Sequence, residues 1–275
     1  MASQYWDQQR ADAYSQFRYK FPEHALRQKA VVVAGGSGGL GAATVALLAA
    51  EGANVVVGYR ANRARAEELR SAMQQQFHRD ISLVEGDLAD PEVLGSYLTA
   101  VEKTGSPLFG AAIFPGDPAR VPMEGLNRET LAASLESNYT GPILLAKTLG
   151  ERMERDANGG SVVLLSTMQA LGVFPSSLNY AGPKAALVHA ARILAQHWNY
   201  VRVNVVAPGA TMAGMAATSI QTGKYDRHVE SNSIERFGRP EDVARAVRFF
   251  LEPDNYITGQ VIAVDGGLTL RRDRG

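Results

Sequence analysis

The chain has no cysteine, which excludes disulfides, thiol catalysis and cysteine-ligated metal. It has no charge excess either: 28 Lys and Arg are offset by 28 Asp and Glu, so neither nucleic acid nor an anionic membrane is favoured as a partner. No apolar run approaches the roughly 20 residues that a bilayer-spanning helix needs. The first residues are polar and aromatic, without the apolar stretch of a secretory signal. The five histidines show no i, i+4 pairing with carboxylates and are expected on the surface, so no metal is expected. A soluble, cytoplasmic protein is therefore the expectation.

The 275 residues, 45% of them hydrophobic, suffice for one large α/β domain with a well-buried core. Residues 1–28 differ from the rest as an N-terminal extension, with Tyr5, Trp6, Tyr14, Phe17, Tyr19 and Phe21 set among Gln, Arg and Asp. Such an arm is either poorly ordered or packs its aromatics on its own domain or a neighbouring subunit. The basic tail Arg271, Arg272 and Arg274 is expected to be a solvated terminus.

From 29 to 275 the pattern is that of a single domain. Short β-branched runs at 30–34, 54–57, 81–85, 108–113, 161–165, 201–206 and 260–264 predict strands. Between them, 40–51, 63–77, 91–103, 128–155, 177–200 and 240–251 predict helices. Continuous apolar strands alternating with helices indicate a Rossmann-like, doubly wound parallel sheet covered on both faces.

Between the first strand and helix stands Ala34-Gly35-Gly36-Ser37-Gly38-Gly39-Leu40-Gly41. Glycines there let the backbone approach a pyrophosphate, and the helix N-terminus offers free N–H groups and the positive end of its dipole. Two registers fit: Gly36, Gly38 and Gly41 as G-x-G-x-x-G, or Gly35, Gly39 and Gly41 as G-x-x-x-G-x-G. A carboxylate at the end of the second strand would hydrogen-bond the ribose 2′-OH of NAD. This chain has Gly58-Tyr59-Arg60 instead, with Arg63 and Arg65 following. A guanidinium suits a 2′-phosphate, so NADP(H) is expected over NAD.

Tyr180 and Lys184 are four residues apart on a predicted helix, which puts phenol and ammonium on one face. A phenol with a pKa near ~10 needs a shift of about 3 units, roughly 4 kcal/mol, to exchange protons near neutrality. An ammonium about 4 Å away supplies around 4 kcal/mol at an effective dielectric near ~20, so Lys184 is expected to lower the phenol.

With these features the chain resembles the short-chain dehydrogenase/reductase family, over nearly everything from Lys29 to Leu270. The resemblance rests on the glycine turn, on Tyr180 and Lys184, and on several further segments. Gly86-Asp87-Leu88 resembles the family's adenine-pocket aspartate, and Asn138, in Ser137-Asn138-Tyr139-Thr140-Gly141, its relay asparagine. The run from Arg202 to Pro208-Gly209, the segment Arg236-Phe237-Gly238-Arg239-Pro240, and Val264-Asp265-Gly266-Gly267 are similar to its C-terminal half. The general type is the 3-oxoacyl-acyl-carrier-protein-reductase-like group. By resemblance, Tyr180 is the proton donor, Lys184 also holds the nicotinamide ribose, Thr167 (with Ser166 as the alternative) bonds the substrate oxygen, and Asn138 anchors the relay. Thr211, just past Pro208-Gly209, is placed to meet the nicotinamide carboxamide.

The resemblance implies an oxidoreductase moving hydride between NADP(H) and a carbonyl or secondary alcohol on a small to medium, partly apolar substrate. A homodimer or homotetramer is implied, with the alanine-rich stretch 181–195 able to pack on a copy of itself. An NADP-assisted epimerase or dehydratase, and a nucleotide-binding regulatory protein without turnover, are the alternatives. Two departures stand out. Ala34 replaces the usual threonine before the first glycine, and Leu108-Phe109-Gly110-Ala111-Ala112-Ile113 stands where the family commonly has Asn-Asn-Ala-Gly. The second implies a rearranged floor beneath the cofactor, continued by the proline-rich Phe114-Pro115-Gly116-Asp117-Pro118. The segment from Thr211 to about Ile234 is the expected lid, with Gly214 and Gly223 as flex points and Met212 and Met215 as an apolar wall.

Overall fold

The computed structural model describes residues 4–18, 21–175 and 177–271. Tyr19, Arg272 and Arg274, named above, lie outside the described residues. Seven strands, β1 (Ala30–Ala34), β2 (Asn54–Tyr59), β3 (Ser82–Glu85), β4 (Leu108–Ile113), β5 (Gly160–Leu165), β6 (Val201–Pro208) and β7 (Val261–Val264), form one sheet. Its order is β3-β2-β1-β4-β5-β6-β7 and every pairing is parallel. The order reverses between β1 and β4, which opens a crevice at the carboxyl ends of those strands, where ligands bind in open α/β sheets.

The two-residue period of a strand sends neighbouring side chains to opposite faces. Val32 and Ala34 therefore join a core with Tyr97, Leu145, Leu149, Met153 and Leu187, while Val31 and Val33 join one with Val45, Leu48, Met73, Val247 and Phe250. Burial on both faces is why the strands are continuous apolar runs rather than alternating ones.

The helices are α1 (Gln8–Ser15), α2 (Gly39–Ala50), α3 (Arg63–Phe77), α4 (Pro91–Lys103), α5 (Arg128–Leu135), α6 (Gly141–Asp156), α7 (Leu178–His197), α8 (Ala217–Gln221), α9 (Asp226–Glu230), α10 (Pro240–Phe250) and α11 (Leu268–Arg271). Their starts follow local chemistry. Asn62 accepts from the Arg65 N–H to cap α3, and Asp90 accepts from the Glu92 N–H ahead of Pro91 to start α4. Among the described residues no helix is long and apolar enough to cross a membrane.

Three expectations need correction. The helix predicted over 128–155 is not uniform: α5 and α6 are joined by a π-helical turn, Glu136–Thr140, which holds Asn138. The described arm does not pack its aromatics on its own domain. Tyr5, Trp6, Phe17 and Phe21 are largely exposed, α1 buries no residue, and Arg10 reaches Asp254 only at 3.5 Å. The histidines are not all on the surface, for His228 of α9 is buried.

Candidate active site

A cavity of about 440 Å3 opens at the carboxyl ends of β1, β4, β5 and β6, within the range of small-molecule sites. At one end it is lined by the backbone of Gly35, Gly38, Gly39, Leu40 and Gly41. Gly38 is the N-cap of α2 and supplies no side-chain cap, so the orphan N–H groups of the first turn are left for a ligand. Among the described residues no carboxylate lines the cavity, whereas Arg120, Lys184 and Lys224 do. That polarity, with a free helix N-terminus, fits a dinucleotide pyrophosphate. Gly39 also makes room for the lid, since a Cβ there would lie 2.7 Å from the Cβ of Ala213.

The catalytic candidates come from three elements. Tyr180 and Lys184 sit one turn apart on α7, and Thr167 follows β5; all three line the cavity. Burial pushes the Tyr180 phenol up to about 12, against a hydrogen bond from the Thr167 hydroxyl, which lowers it, and the Asp117 charge, which raises it. Lys184 is buried, and burial pulls its ammonium down to about 7. Its Nζ donates to the carbonyls of Leu165 at 2.9 Å and Pro115 at 3.2 Å. Burial thus sets the direction for both groups, raising the phenol and lowering the ammonium, and no lowering of the phenol by Lys184 accompanies it. A protonated phenol beside a cavity can give a proton, which is the role an acid needs.

Thr167 and Ser166 separate cleanly. Thr167 accepts from the Gln169 N–H at 3.3 Å and bonds Tyr180. The Ser166 hydroxyl turns to the helix and donates to the Lys184 carbonyl at 2.8 Å. Asn138 does not line the cavity. Its Nδ2 donates to the Asp117 carbonyl at 3.0 Å and its Oδ1 accepts from the Asp117 N–H at 3.1 Å, which clamps the loop after β4. Gly116 lies inside that clamp: a Cβ there would come within 2.6 Å of Asn138 Oδ1 and 2.9 Å of Lys184 Nζ. The sheet keeps its pairing where the family amides are missing. Gly110 to Ile113 pair with both β1 and β5, and the Phe114 N–H donates to the Ala34 carbonyl at 3.0 Å. Phe114 itself lines the cavity as its new floor.

Pro208, Gly209 and Thr211 also line the cavity, and the Thr211 hydroxyl donates to the Gly209 carbonyl at 3.1 Å. Of the two lid methionines only Met215 faces the cavity; Met212 is half exposed and outside it. Arg120 was not foreseen. Its guanidinium donates to the Met215 carbonyl at 2.7 Å, strapping the loop after β4 to the lid. Phe174, Lys224 and Tyr225 complete that side, and no spacing signal in the sequence singled them out.

The remaining candidates lie beyond the cavity, around the end of β2. Arg60 stands 3.7 Å from the Asp87 carboxylate and Arg63 3.9 Å from Glu85. Arg65 Nε donates to the Ser37 carbonyl at 2.7 Å and shares a surface hollow with Ser37 and Asn62. Leu88 is buried in the core, where it leaves no space for a side chain at Gly141. Among the described residues no three His, Cys, Asp or Glu side chains converge as metal ligands.

Comparison with known proteins defines the class. Residues 34–269 match the family model described as Enoyl-(Acyl carrier protein) reductase. Over 243 residues the chain is 30% identical to the uncharacterized oxidoreductase YgfF of Escherichia coli, covering 86% of this chain and 98% of that one. It is 28% identical over 266 residues to NADPH-dependent aldehyde reductase 2, chloroplastic, of Arabidopsis thaliana, covering 90% and 97%. Its fold matches a short-chain type dehydrogenase/reductase from Mycobacterium ulcerans with a TM-score of 0.83 at 26% identity, over 90% of this chain and 91% of that one.

The chain belongs to the short-chain dehydrogenase/reductase family. Within that family it is of the 3-oxoacyl-acyl-carrier-protein-reductase-like kind, an oxidoreductase of carbonyl and alcohol groups that uses a nicotinamide dinucleotide.

Proposed function

We propose that the protein is an NADPH-dependent reductase of a ketone or aldehyde on a small to medium, partly apolar molecule. The observation that carries this reading is the meeting of Tyr180, Lys184 and Thr167 at the wall of the cavity that starts from the glycine turn. Gly35, Gly38, Gly39, Leu40 and Gly41 would hold the pyrophosphate, with Ser37, Arg60, Asp87 and Leu88 toward the adenosine and Pro208, Gly209 and Thr211 toward the nicotinamide. Bound NADPH supplies the hydride. Tyr180 gives its phenolic proton to the substrate oxygen, and Thr167 orients that oxygen through its hydroxyl. Lys184 carries positive charge beside the phenol and offers a donor to a ribose hydroxyl. Asn138 fixes the loop whose Pro115 carbonyl receives Lys184.

The preference for NADPH is supported by three guanidiniums that follow β2: Arg60 beside Asp87, Arg63 beside Glu85, and Arg65, which donates to the Ser37 carbonyl. The Arg60 and Arg63 pairs with Asp87 and Glu85 are exposed, so little is lost when they exchange partners. A 2′-phosphate gains charge-assisted hydrogen bonds worth roughly 1.5–3 kcal/mol each. Replacing Arg60 and Arg65 together by Ala is expected to weaken NADPH binding by about 10- to 100-fold and NADH binding by less than about threefold. Fluorescence titration of both cofactors checks this; equal loss for both would remove the phosphate assignment.

Exposed Leu144 on α6, with Leu178 and Ile193 on α7, supports a homodimer or homotetramer built on these helices. Sedimentation of wild type is expected to give the oligomer, and Ile193→Asp to shift it toward monomer.

A further inference from the structure

Pro183 lies inside α7, between the tyrosine and the lysine. A proline has no N–H, so the carbonyl four residues earlier loses its helical partner. That carbonyl belongs to Asn179, a buried residue immediately before Tyr180. A buried carbonyl without a donor is destabilising, and the structure supplies one from another helix. Ser134 of α5, itself buried, donates its hydroxyl to the Asn179 carbonyl. The Ser134 hydroxyl oxygen in turn accepts from Asn138 Nδ2 at 3.2 Å. Two of the segments that build the site therefore meet at one hydroxyl: the loop after β4, held through Asn138, and the first turn of α7, which carries Tyr180.

There is little slack around this point. The Asn179 Nδ2 donates to the Ala119 carbonyl at 3.2 Å, while its Oδ1 is a buried oxygen without a partner among the described residues. A second unmatched acceptor in the same turn would favour a shift of the backbone that carries the phenol.

We infer that Ser134 is a positioning residue for Tyr180, replacing through space the backbone donor that Pro183 removes. This rests on the reading of Tyr180 as the proton donor. Ser134→Ala should lower kcat about tenfold with NADPH and the small β-ketoacyl thioester acetoacetyl-N-acetylcysteamine, leaving KM and the NADPH dissociation constant within about twofold. Amides of 178–184 should exchange with deuterated solvent faster by a similar factor. Pro183→Ala restores an N–H at position 183, so in that background Ser134→Ala should change both quantities by less than about twofold. Rescue of this kind belongs to the carbonyl and not to general packing.

An equal effect of Ser134→Ala in both backgrounds, or no effect in either, would overturn the inference. If wild type does not turn over this thioester, the exchange rates of the four proteins decide it alone. Tyr180→Phe in the same assay separates the two readings. An active Tyr180→Phe removes the proton-donor role, whereas an inactive one beside a fully active Ser134→Ala removes only the role of Ser134.

Discussion

Tyr180→Phe is expected to lower kcat by roughly 10²- to 10⁴-fold, the usual contribution of a positioned general acid, while NADPH still binds. The substitution removes one oxygen and keeps the ring that packs against the cavity wall. Because the loss lies in the transition state and not in ground-state binding, kcat and kcat/KM should fall together. Burial pushes the phenol up to about 12, which favours its protonated form through the range in which proteins are assayed. Steady-state kinetics beside a cofactor titration checks the claim. A parallel loss of NADPH affinity would show that the ring, rather than the proton, matters.

The second large effect runs in opposite directions for activity and stability. Lys184→Met should reduce kcat/KM by about 10²-fold or more, because it deletes the amine that is held one turn from Tyr180 by the Leu165 and Pro115 carbonyls. The same change should make the ligand-free protein more stable at neutral pH. Lys184 is buried and its folded-state pKa is depressed to about 7 from 10.5. The unfolded chain therefore binds more protons at this group than the folded one between those values, and stability rises with pH across that window.

Denaturant unfolding at pH 7 and pH 9 should show this component as a gain of about 1–2 kcal/mol in wild type that is missing in Lys184→Met. Tyr97 and Tyr180, both raised by burial, do not interfere below pH 10. A wild-type curve with no such rise, or one equally steep in the variant, would mean that the two carbonyls keep the ammonium charged.

Much of this site could be seen in the sequence because its chemistry is local. Strand β4 and helices α3 and α4 fall where apolar runs, Asn62 and Asp90-Pro91 put them. The glycine turn is marked by its place between a strand and a helix, and Tyr180 and Lys184 by helical spacing together with that turn. The π turn at Glu136–Thr140 is not marked, since one extra residue in a helix leaves the amphipathic pattern nearly continuous. Thr167 is expected ahead of Ser166 only by resemblance; what separates their contacts is that adjacent residues leaving a strand point to opposite sides. The strap from Arg120 to Met215 joins residues nearly a hundred positions apart, and neither carries a local signature. Lys184 illustrates a different limit. Spacing places it beside the phenol, but only the packed core determines how far burial opposes its charge.

The replacement of the family amides at the end of β4 shows how the fold tolerates a local departure. Backbone pairing from Gly110 to Phe114 carries the strand, Phe114 closes the floor, and Asn138 grips the backbone of Asp117. The loop after β4 is therefore held from the helix side, through both backbone groups of Asp117.

The most direct test is NADPH oxidation across ketones, aldehydes, quinones and β-ketoacyl thioesters, with NADH and Tyr180→Phe run in parallel. Turnover that prefers NADPH and collapses in Tyr180→Phe is the predicted result. Tight NADPH binding with no turnover of any carbonyl, or turnover that survives in Tyr180→Phe, would contradict the account.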